Sequence, residues 1–357
     1  MPNIFDVAKR AGVSIATVSR VLTQPDVVAP TTRRKVMAAV ERLGYTPNAS
    51  AKNLRVRSTR RLIATVPHIT RLVWSTILLG IQDLANREGY AVLLGDTRFD
   101  RSREERYAQM FKERQADGLI FLGHQVGDDI AGIVRRHRET VAPIVNVMGF
   151  RPRLDIPSIQ IDNVAAAADA MDHLYDLGHT RVGLVTGGSP SFVTGERLRG
   201  ALARARKAGA ERDVIVEHGD FSVESGVACA ERLLARPNPP TAIFCFNDEM
   251  ALGVVNAARR RNLRIPDDLS VVGIDDIHHA SFWDPPLTTV ALPMRDMGEH
   301  AVRVLLGILN GGERPPQRIV LPHTLVVRSS TAAPGRAVPF ARVAAARAGR
   351  RGRPTAT

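Results

Sequence analysis

The sequence contains only two cysteines and no long apolar run, and these absences narrow the classes of protein it can be. Cys229 and Cys245 stand in apolar surroundings without the spacing of a metal site, so we expect buried free thiols in a reducing compartment. No stretch reaches the roughly 18 consecutive apolar residues of a membrane-spanning helix, so we expect no membrane partner. Residues 1–20 mix apolar and charged side chains and do not resemble a signal peptide. These features predict a cytoplasmic protein.

Basic residues are concentrated at the two ends of the chain. The net charge is +13, and residues 1–61 hold twelve Lys and Arg against three Asp and Glu. Residues 333–357 add six Arg and no acid, so the middle of the chain is close to neutral. A near-neutral body with basic ends is typical of a nucleic-acid binder with a separate ligand domain. For residues 333–357, which show no folding pattern, we expect a solvated and disordered tail.

The basic N-terminal segment carries the pattern of three short helices. Apolar side chains recur at helical spacing in Ile4–Ala11, in Ile15–Leu22 and in Thr31–Leu43. Gly12 interrupts the pattern as a tight turn would, and Ser14 can cap the second helix by accepting a backbone N–H. Three helices of this size bury little surface, so we expect a small head that depends on a larger body.

This segment predicts a helix-turn-helix whose second helix enters the major groove of DNA. Arg20 can donate two hydrogen bonds to a guanine, whereas Ile15 and Ala16 can only contact a thymine methyl group or shape the fit. Polar side chains complete the predicted DNA-binding set, mostly as phosphate contacts: Asn3, Ser14, Thr17 and Ser19. The alternative is a small helical cap on an enzyme, which the basic charge disfavours.

Beyond residue 61, short apolar strands alternate with helices. The alternation begins at Leu62–Val66 and continues to Ser270–Gly273, which predicts parallel sheets with helices on both faces. About 270 residues exceed one compact core, so we expect two doubly wound subdomains with a break near Asp162 and Asn163. The predicted fold class is therefore an all-α helix-turn-helix head plus an α/β body.

Polar and aromatic side chains follow or flank several of these strands. Ligands of open α/β sheets bind beyond the carboxyl ends of the strands, and a cleft between two subdomains collects those ends from both. The predicted ligand-binding set is Trp74, Asn146, Arg197, Phe221, Asn247 and Asp275. The amides and the carboxylate can bind hydroxyl groups, the guanidinium can hold two oxygens, and the aromatic rings offer flat apolar faces. The set fits a hydroxylated ring such as a sugar or nucleoside, although each residue alone could be a turn or cap residue, as we expect for Asp248.

Other groupings in the sequence indicate no catalytic or metal chemistry. Gly187-Gly188 is not a dinucleotide-binding fingerprint, and no phosphate-loop lysine motif occurs. His278 and His279 are adjacent, so on a helix they would point apart rather than share a metal. His124 near the cleft could contact ligand, but a solvated loop histidine is the simpler interpretation. We expect no cofactor, no metal and no catalytic residues.

The N-terminal motif resembles the lactose-repressor/galactose-repressor family of bacterial transcription regulators. The resemblance lies in the run Val13-Ser14-Ile15-Ala16-Thr17-Val18-Ser19-Arg20-Val21-Leu22, preceded by Asp6-Val7-Ala8 and followed by Gly44-Tyr45-Thr46-Pro47-Asn48. It extends to about residue 332. One departure is Ala29, where the family usually has a Ser or Thr that caps the third helix. Pro30 nevertheless suits the first helical position.

The resemblance implies a hinge at Asn48 to Arg57 that becomes a helix on the operator. Paired hinge helices would enter the minor groove, where Leu54 matches the family's wedging leucine and Arg55 a basic position beside it. An apolar wedge kinks DNA, and wider contact offsets the unstacking. The alternative for Leu54 is the core of a fourth helix, but its polar neighbours leave no apolar stripe.

For the body, the resemblance implies the fold of the type I periplasmic binding proteins. The chain would cross between subdomains near Ile161, Leu292 and Pro322, and the six predicted ligand residues match family positions that hold the effector. Several segments, such as Gly219-Asp220-Phe221, are most similar to the purine and cytidine repressors, which favours a nucleoside or nucleobase. Val73 argues against a nucleoside or nucleobase, because the purine repressor has an aromatic residue at this position.

The resulting hypothesis is a sequence-specific repressor that binds a palindromic operator as a homodimer, with a tetramer left open. The predicted layout is a head at 1–47, a hinge at 48–60, an effector-binding and dimerisation domain at 61–332 split near 162 and 292, and the tail at 333–357. A periplasmic-type binding protein is disfavoured by the head, and an enzyme by the missing catalytic groups. The expected partners are double-stranded DNA and a small nucleoside, nucleobase or sugar effector at the nucleoid, with release of DNA as the default response.

Overall fold

The contacts of the computed structural model divide the chain into two units, Met1–Thr59 and Arg60–Thr357. The structure describes residues 2–46, 58–123, 128–137, 140–150, 154–188 and 191–335. Several predicted positions lie outside these ranges: Asn48, Leu54, Arg55, His124 and the tail after residue 335.

Three helices form residues 2–46, the main described part of the N-terminal unit, as predicted. They are α1 (Ile4–Ala11), α2 (Ile15–Thr23) and α3 (Pro30–Leu43), with a 3₁₀ turn at Pro25–Val27. Their core is small and is built from buried aliphatic side chains on the predicted apolar stripes: Val7, Ala8, Val18, Val21, Val36 and Ala39. So small a core gives this unit few buried contacts of its own.

The ends of these helices follow the sequence signals. Gly12 and Gly44 take left-handed conformations, with φ of 65° and 58°, where α1 and α3 end. Because glycine has no Cβ, this conformation carries little strain there. Ser14 accepts the N–H of Thr17 at 3.1 Å and caps α2 as predicted. Ala29 precedes α3 and provides no side-chain cap, which leaves the start of that helix weakly satisfied.

The first sheet of the body is parallel throughout, and we call it and its helices subdomain 1. Its spatial order is β11-β5-β4-β3-β1-β2. The strands are β1 (Arg61–Val66), β2 (Ala91–Asp96), β3 (Gly118–Leu122), β4 (Ile144–Val147), β5 (Ser158–Ile161) and β11 (Arg318–Leu321).

Helices cover both faces of this sheet, because its strands are apolar on both sides. Along β1, Leu62 and Ala64 pack into one buried cluster while Ile63 packs into another. The first cluster includes side chains of α4 (Leu72–Arg87) and α11 (Met294–Leu309), and the second those of α5 (Arg101–Lys112) and α6 (Asp128–Arg136). Helices α4 and α11 pack very closely, since a Cβ on Gly80 would lie 2.1 Å from the carbonyl oxygen of Arg295.

The second sheet, with its helices, forms subdomain 2. Its order is β12-β10-β9-β8-β6-β7, and only the pairing of β10 with β12 is antiparallel. The strands are β6 (Val182–Thr186), β7 (Val214–His218), β8 (Ala242–Cys245), β9 (Ser270–Asp275), β10 (Thr288–Ala291) and β12 (Thr324–Val326). The helices are α7 (Asn163–Asp176), α8 (Phe192–Lys207), α9 (Val223–Leu234) and α10 (Asp248–Arg260), with 3₁₀ turns at Glu211–Asp213 and His278–Phe282.

The chain passes between the two subdomains three times. It leaves subdomain 1 after β5, where Asp162 caps α7, and it returns after β10 to form α11 and β11. After β11 it crosses again at Pro322 and His323 to add β12 to the second sheet. The predicted class of an α-helical head with two doubly wound, mostly parallel sheets is confirmed, with β12 as an antiparallel edge that the sequence analysis did not foresee.

Two further expectations from composition can be compared with the structure. Cys229 and Cys245 are both buried and unbonded to each other, as expected. Across the described part of the chain, no helix has both the length and the apolar character that would let it span a membrane.

Candidate functional site

The predicted DNA-reading helix α2 exposes one face and buries the other. Val18 and Val21 are buried in the core of the head, while Ile15, Ala16 and Arg20 are exposed on the opposite side. Thr17 and Ser19 are half-buried between these two faces. The exposed face therefore presents one arginine and two apolar side chains, the set that the sequence predicts for base contacts.

Two residues of the predicted DNA-binding set also hold the helices in place. Asn3 caps α1, because its Oδ1 accepts the N–H groups of Phe5 and Asp6 at 2.8 and 3.2 Å while its own N–H donates to Asp6 at 2.9 Å. The Oγ of Ser14 lies 2.9 Å from the Oγ1 of Thr17 in addition to capping α2. These oxygens are committed to the protein, so contacts to phosphate would fall to the remaining donors of these residues.

A cavity of about 590 Å³, including its open mouth, lies between the two subdomains at the carboxyl ends of their strands. This size is typical of a small-molecule site. Five of the six predicted ligand residues line it: Trp74, Arg197, Phe221, Asn247 and Asp275. Eight further residues, which were not predicted from the sequence, complete its lining: Arg71, Val73, Phe99, Met148, Ser191, Val193, Glu249 and Ile277.

Aromatic rings from both subdomains face this cavity. Trp74 stands in the first turn of α4, and Phe221 follows β7 with a φ of 71°. The ring of Phe221 lies against Gly187, where an added Cβ would come within 1.9 Å of it. Gly187 is therefore required to seat this ring, a structural role that the sequence pattern alone did not reveal.

Arg197 is the most deeply buried charged group of the cavity, with 1% of its surface exposed. Its Nε donates to Asn163 Oδ1 at 2.9 Å, and its Nη1 donates to the carbonyl of Phe246. Its Nη2 lies 3.9 Å from Asp275 Oδ1 and is buried without a hydrogen-bond partner among the described residues. Burial lowers the pKa of Arg197, against the opposing effect of Asp275 and Asp248. A buried donor without a partner is uncommon and fits a position that a ligand oxygen would occupy.

Asp275 ends β9 and faces Arg197 across the cavity wall. Burial raises the pKa of Asp275 to about 7, while Arg197 pulls it downward and Glu249 adds to the rise. Its φ of 124° is rare for a residue with a side chain. Together with Met148 at 60° and Phe221 at 71°, it forms a group of strained backbone positions around the cavity, and such strain is characteristic of functional sites.

Asn247 lines the cavity as predicted and also caps a helix, whereas Asp248 does not have the role expected of it. Asn247 is the N-cap of α10, accepting the N–H of Met250 at 2.9 Å, and its Nδ2 donates to the carbonyl of Phe221 at 3.0 Å. The expectation that Asp248 caps this helix is wrong. Asp248 is fully buried and instead accepts the hydroxyl of Thr289 at 2.6 Å and the N–H of Ile277 at 2.9 Å. It thereby fixes the segment that follows Asp275.

Asn146 is the one predicted ligand residue that does not line the cavity. It lies within β4 rather than after it, between Phe121 on β3 and Ser158 on β5. The side chain is buried, and its Oδ1 has no hydrogen-bond partner among the described residues. The strand extends to Val147, two residues beyond the apolar pair from which its end was estimated.

A second cavity, of about 420 Å³, lies within subdomain 1 on the α5 side of the sheet. Its walls are mostly apolar, and Glu104 is its one ionisable carboxylate among the described residues, with a pKa that burial raises. The larger cavity holds several converging polar groups and the aromatic rings, which makes it the better candidate for a ligand site.

The two adjacent histidines do not form part of a metal cluster in the described residues. The rings of His278 and His279 lie edge to face with centroids 5.7 Å apart, in the 3₁₀ turn after β9. In the same described ranges, no group of three or more His, Cys, Asp or Glu side chains is arranged to hold a metal ion.

Comparison with known proteins agrees with this architecture. Residues 3–48 match the family described as bacterial regulatory proteins, lacI family, and residues 171–331 match a periplasmic binding protein-like domain. The HTH-type transcriptional repressor CytR of Escherichia coli (strain K12) is 36% identical over 329 residues, which cover 92% of this chain and 96% of the relative. The chain belongs to the lacI family of bacterial regulatory proteins.

Solved structures of this family superpose on most of the regulator. A lac repressor dimer bound to operator and the anti-inducer ONPF aligns with a TM-score of 0.81 at 29% identity, covering 93% of the regulator and 99% of that chain. The transcriptional regulator CelR in complex with cellobiose aligns with a TM-score of 0.69 at 30% identity, covering 92% and 100%. This chain is therefore a DNA-binding transcription regulator and not an enzyme, as the sequence predicts.

Proposed function

We propose that this lacI-family member is a dimeric repressor whose affinity for a palindromic operator is set by a small nucleoside, nucleobase or sugar in the cleft between its subdomains. One head reads only a few base pairs, so two are needed for a selective site, and a twofold dimer implies a palindrome. The lac repressor structure that aligns with the regulator is itself a dimer on operator DNA. Such a protein acts where the chromosome is, so we place it in the cytoplasm at the nucleoid.

On the DNA side, the proposal assigns base reading to the exposed face of α2. Arg20 would donate to a guanine in the major groove, and Ile15 and Ala16 would contact neighbouring bases through their apolar surfaces. The phosphate contacts would come from Asn3, Ser14, Thr17 and Ser19. The hinge residues Asn48, Leu54 and Arg55 remain assigned to the minor groove by family resemblance alone.

On the ligand side, the observation that carries the proposal is the buried Nη2 of Arg197 beside Asp275 at the cavity wall. A ligand oxygen at this point would complete the guanidinium, and an adjacent hydroxyl could donate to the carboxylate. Trp74 and Phe221 provide apolar faces for the ring. Asn146, buried within β4, would act on the ligand only indirectly. A nucleoside or nucleobase is the first candidate, because segments such as Gly219-Asp220-Phe221 are most similar to the purine and cytidine repressors.

A sugar is the second candidate. The aligned CelR structure holds cellobiose, and cyclic hydroxyl groups suit the same arginine and aspartate pair. The two candidates differ in what the aromatic residues would contact, since a base stacks through a π face and a sugar packs through its C–H face.

Ligand binding would control the head through the hinge. Closing or reorienting the two subdomains changes the spacing of the paired hinges in the dimer, and this spacing decides whether both heads meet their half-sites. Release of the operator on ligand binding is the response that we propose.

The test is a thermal-shift screen of nucleosides, nucleobases, monosaccharides and disaccharides against the full-length protein, followed by calorimetry. A ligand that binds only the folded state raises the melting temperature. The matched variants are Asp275→Ala and Asp267→Ala, because Asp267 is an exposed aspartate that precedes β9 while Asp275 ends it. We expect at least one compound to stabilise the wild type and Asp267→Ala but not Asp275→Ala. Equal stabilisation of all three proteins would contradict the assignment of the site.

A further inference from the structure

A hydrogen bond and an electrostatic contact cross the mouth of the cavity from one subdomain to the other. Arg71, just before α4 in subdomain 1, donates from Nη2 to the carbonyl of Asp220 in subdomain 2 at 3.0 Å. The carboxylate of Glu249, in the first turn of α10 in subdomain 2, faces the backbone N–H of Leu72 and the guanidinium of Arg71, which both stabilise its ionised form. Arg71 and Glu249 both line the cavity. These contacts can form only when the two subdomains are close together.

Helix α4 lacks the side-chain cap that most other helices of the body receive from their own sequence. Side-chain caps immediately precede α5, α7, α8, α9 and α10, namely Asp100, Asp162, Ser191, Ser222 and Asn247. Helix α4 begins after Arg71, which provides no side-chain cap. Its first N–H groups therefore need an acceptor from elsewhere, and the carboxylate of Glu249 is also favoured there by the positive end of the helix dipole.

The surroundings of Glu249 match a contact between subdomains rather than a simple acidic residue at the start of α10. Acids are common in a first helical turn, and Glu224 in α9 is such a residue, exposed to solvent. Glu249 is instead half-buried. Burial raises its pKa and Glu224 contributes to the rise, whereas Arg71 and the N–H of Leu72 oppose it. The carboxylate is thus withdrawn from water against groups of the opposite subdomain.

We propose that Arg71 and Glu249 form a clasp that holds the cleft closed over its ligand, with Glu249 acting as the N-cap of α4 across the cleft. Opening breaks both contacts together and leaves the start of α4 to water. The clasp biases the equilibrium between open and closed forms, and both residues are positioning residues. The proposal deepens the proposed function, on which it rests for the identity of the cleft as the ligand site.

The first test needs no ligand and uses Trp74, which lies two residues after Leu72. The chain has two tryptophans, so a Trp283→Phe background leaves Trp74 as the only tryptophan emitter. Four full-length proteins are compared in this background: no further change, Glu249→Ala, Arg71→Ala and the matched control Glu224→Ala. The measurements are acrylamide quenching of Trp74 and small-angle X-ray scattering, with circular dichroism to verify folding.

We expect Glu249→Ala and Arg71→Ala to make Trp74 about two-fold or more easier to quench and to increase the radius of gyration, because the open form gains population. Glu224→Ala should match the background. If the two clasp variants fold and their quenching and scattering equal those of the control, the clasp does not hold the cleft and the proposal is wrong.

The second test measures ligand release, using whichever compound of the thermal-shift panel binds. We expect Glu249→Ala to speed dissociation about ten-fold with little change in association, since affinity differences mostly appear in the dissociation rate. Glu249→Gln should speed dissociation less than Glu249→Ala does, because the glutamine amide oxygen can still accept the N–H of Leu72. In the double variant with Arg71→Ala, the fold-increase in dissociation rate should be smaller than the product of the two single fold-increases, because residues that act as one unit have non-additive effects.

The proposal would be overturned if neither single variant changed the dissociation rate. It would also be overturned if the fold-increase in the double variant equalled the product of the two single fold-increases. If no panel compound binds, the proposed ligand class has failed, while the Trp74 and scattering measurements still decide whether the clasp exists.

Discussion

The head and the cleft use polar side chains in opposite ways. In the head, Arg20 and its neighbours on α2 stand in water, and the core beneath them is a few aliphatic side chains. In the cleft, Arg197 and Asp275 are only 1% and 4% exposed and lie against each other. The dense phosphate charge of DNA attracts basic side chains even on an open surface. A small ligand is instead bound in a cavity, by polar groups that are already buried.

This difference implies that substitutions should act differently in the two regions. Removing a side chain from an exposed reading face loses its contacts and little else. Removing one partner of a buried charged pair also leaves the other charge uncompensated, which costs more. The following predictions proceed from the largest expected effect to the smallest.

The largest effect is expected for Asp275→Ala. The substitution removes the ligand's acceptor and leaves Arg197 without its nearest acid, so we expect ligand affinity to fall at least 100-fold, or about 3 kcal/mol. Operator affinity without ligand should stay within about two-fold of the wild type. Calorimetry with the panel ligand and anisotropy with operator DNA measure the two quantities. A loss of DNA binding that parallels the loss of ligand binding would show that the two functions are not separated as proposed.

The corresponding change in the head is Arg20→Ala. A bidentate contact to guanine accounts for about 1–3 kcal/mol of discrimination, so operator affinity should fall and selectivity at one base pair of each half-site should disappear. Arg42→Ala is the matched control, because Arg42 is an exposed arginine in the last turn of α3. Selection of binding sites from random DNA provides the measurement. Uniform weakening at every base pair in the Arg20 variant would place this side chain on phosphate instead.

The third prediction concerns pH and applies to the cleft alone. Burial raises the pKa of Asp275 to about 7, and a hydroxyl that donates to it favours the ionised form. Ligand affinity should therefore fall up to about ten-fold per pH unit as pH drops below about 7 and should be constant above it. The contribution of Asp275 to ligand-free stability has the opposite sign. It is present at low pH and is lost as pH rises through about 7, since the folded state holds the proton more tightly.

Asp275→Asn provides the control for this pH dependence, because its amide does not titrate. Its ligand affinity should be lower and independent of pH between about 5 and 8. If affinity in the wild type instead increases as the pH falls, the ligand accepts a hydrogen bond from protonated Asp275 rather than donating one to the carboxylate.

The smallest effect is expected in the head, at the uncapped start of α3. Ala29→Ser adds the missing acceptor and should stabilise this helix by about 0.5–1 kcal/mol. Hydrogen exchange of the first-turn amides of α3 in the full-length protein measures the change. Ala38→Ser is the matched control, because Ala38 is exposed in the middle of the same helix and a serine there caps nothing. Equal protection in both variants would mean that Pro30 already fixes the helix start.

The head could be predicted from sequence because its signals are local. Gly12, Ser14 and Gly44 act through bonds to residues three or four positions away, and the apolar stripes of the helices follow from periodicity. For the body, the sequence predicted the fold class but not the order of the strands within each sheet. Its antiparallel edge β12 depends on where the last crossing ends, which no local pattern specifies.

The cleft was predictable residue by residue but not as an arrangement. Trp74, Arg197, Phe221, Asn247 and Asp275 were found because they follow strands or match family positions, yet the pairing of Arg197 with Asp275 joins residues far apart in the chain. Asn146 was misplaced because an apolar pair underestimates the length of β4. Arg71 and Glu249 were missed because each looks like an ordinary charged residue at a helix start until the two subdomains are brought together.

The most direct test of the account is an operator titration with and without saturating ligand, in the wild type and in Asp275→Ala. The account predicts that ligand changes the operator Kd of the wild type by about five-fold or more, within the usual range of coupling between sites, and leaves that of Asp275→Ala unchanged. An operator Kd that shifts equally in both proteins, or in neither, would contradict the claim that the cleft controls the grip of the heads on DNA.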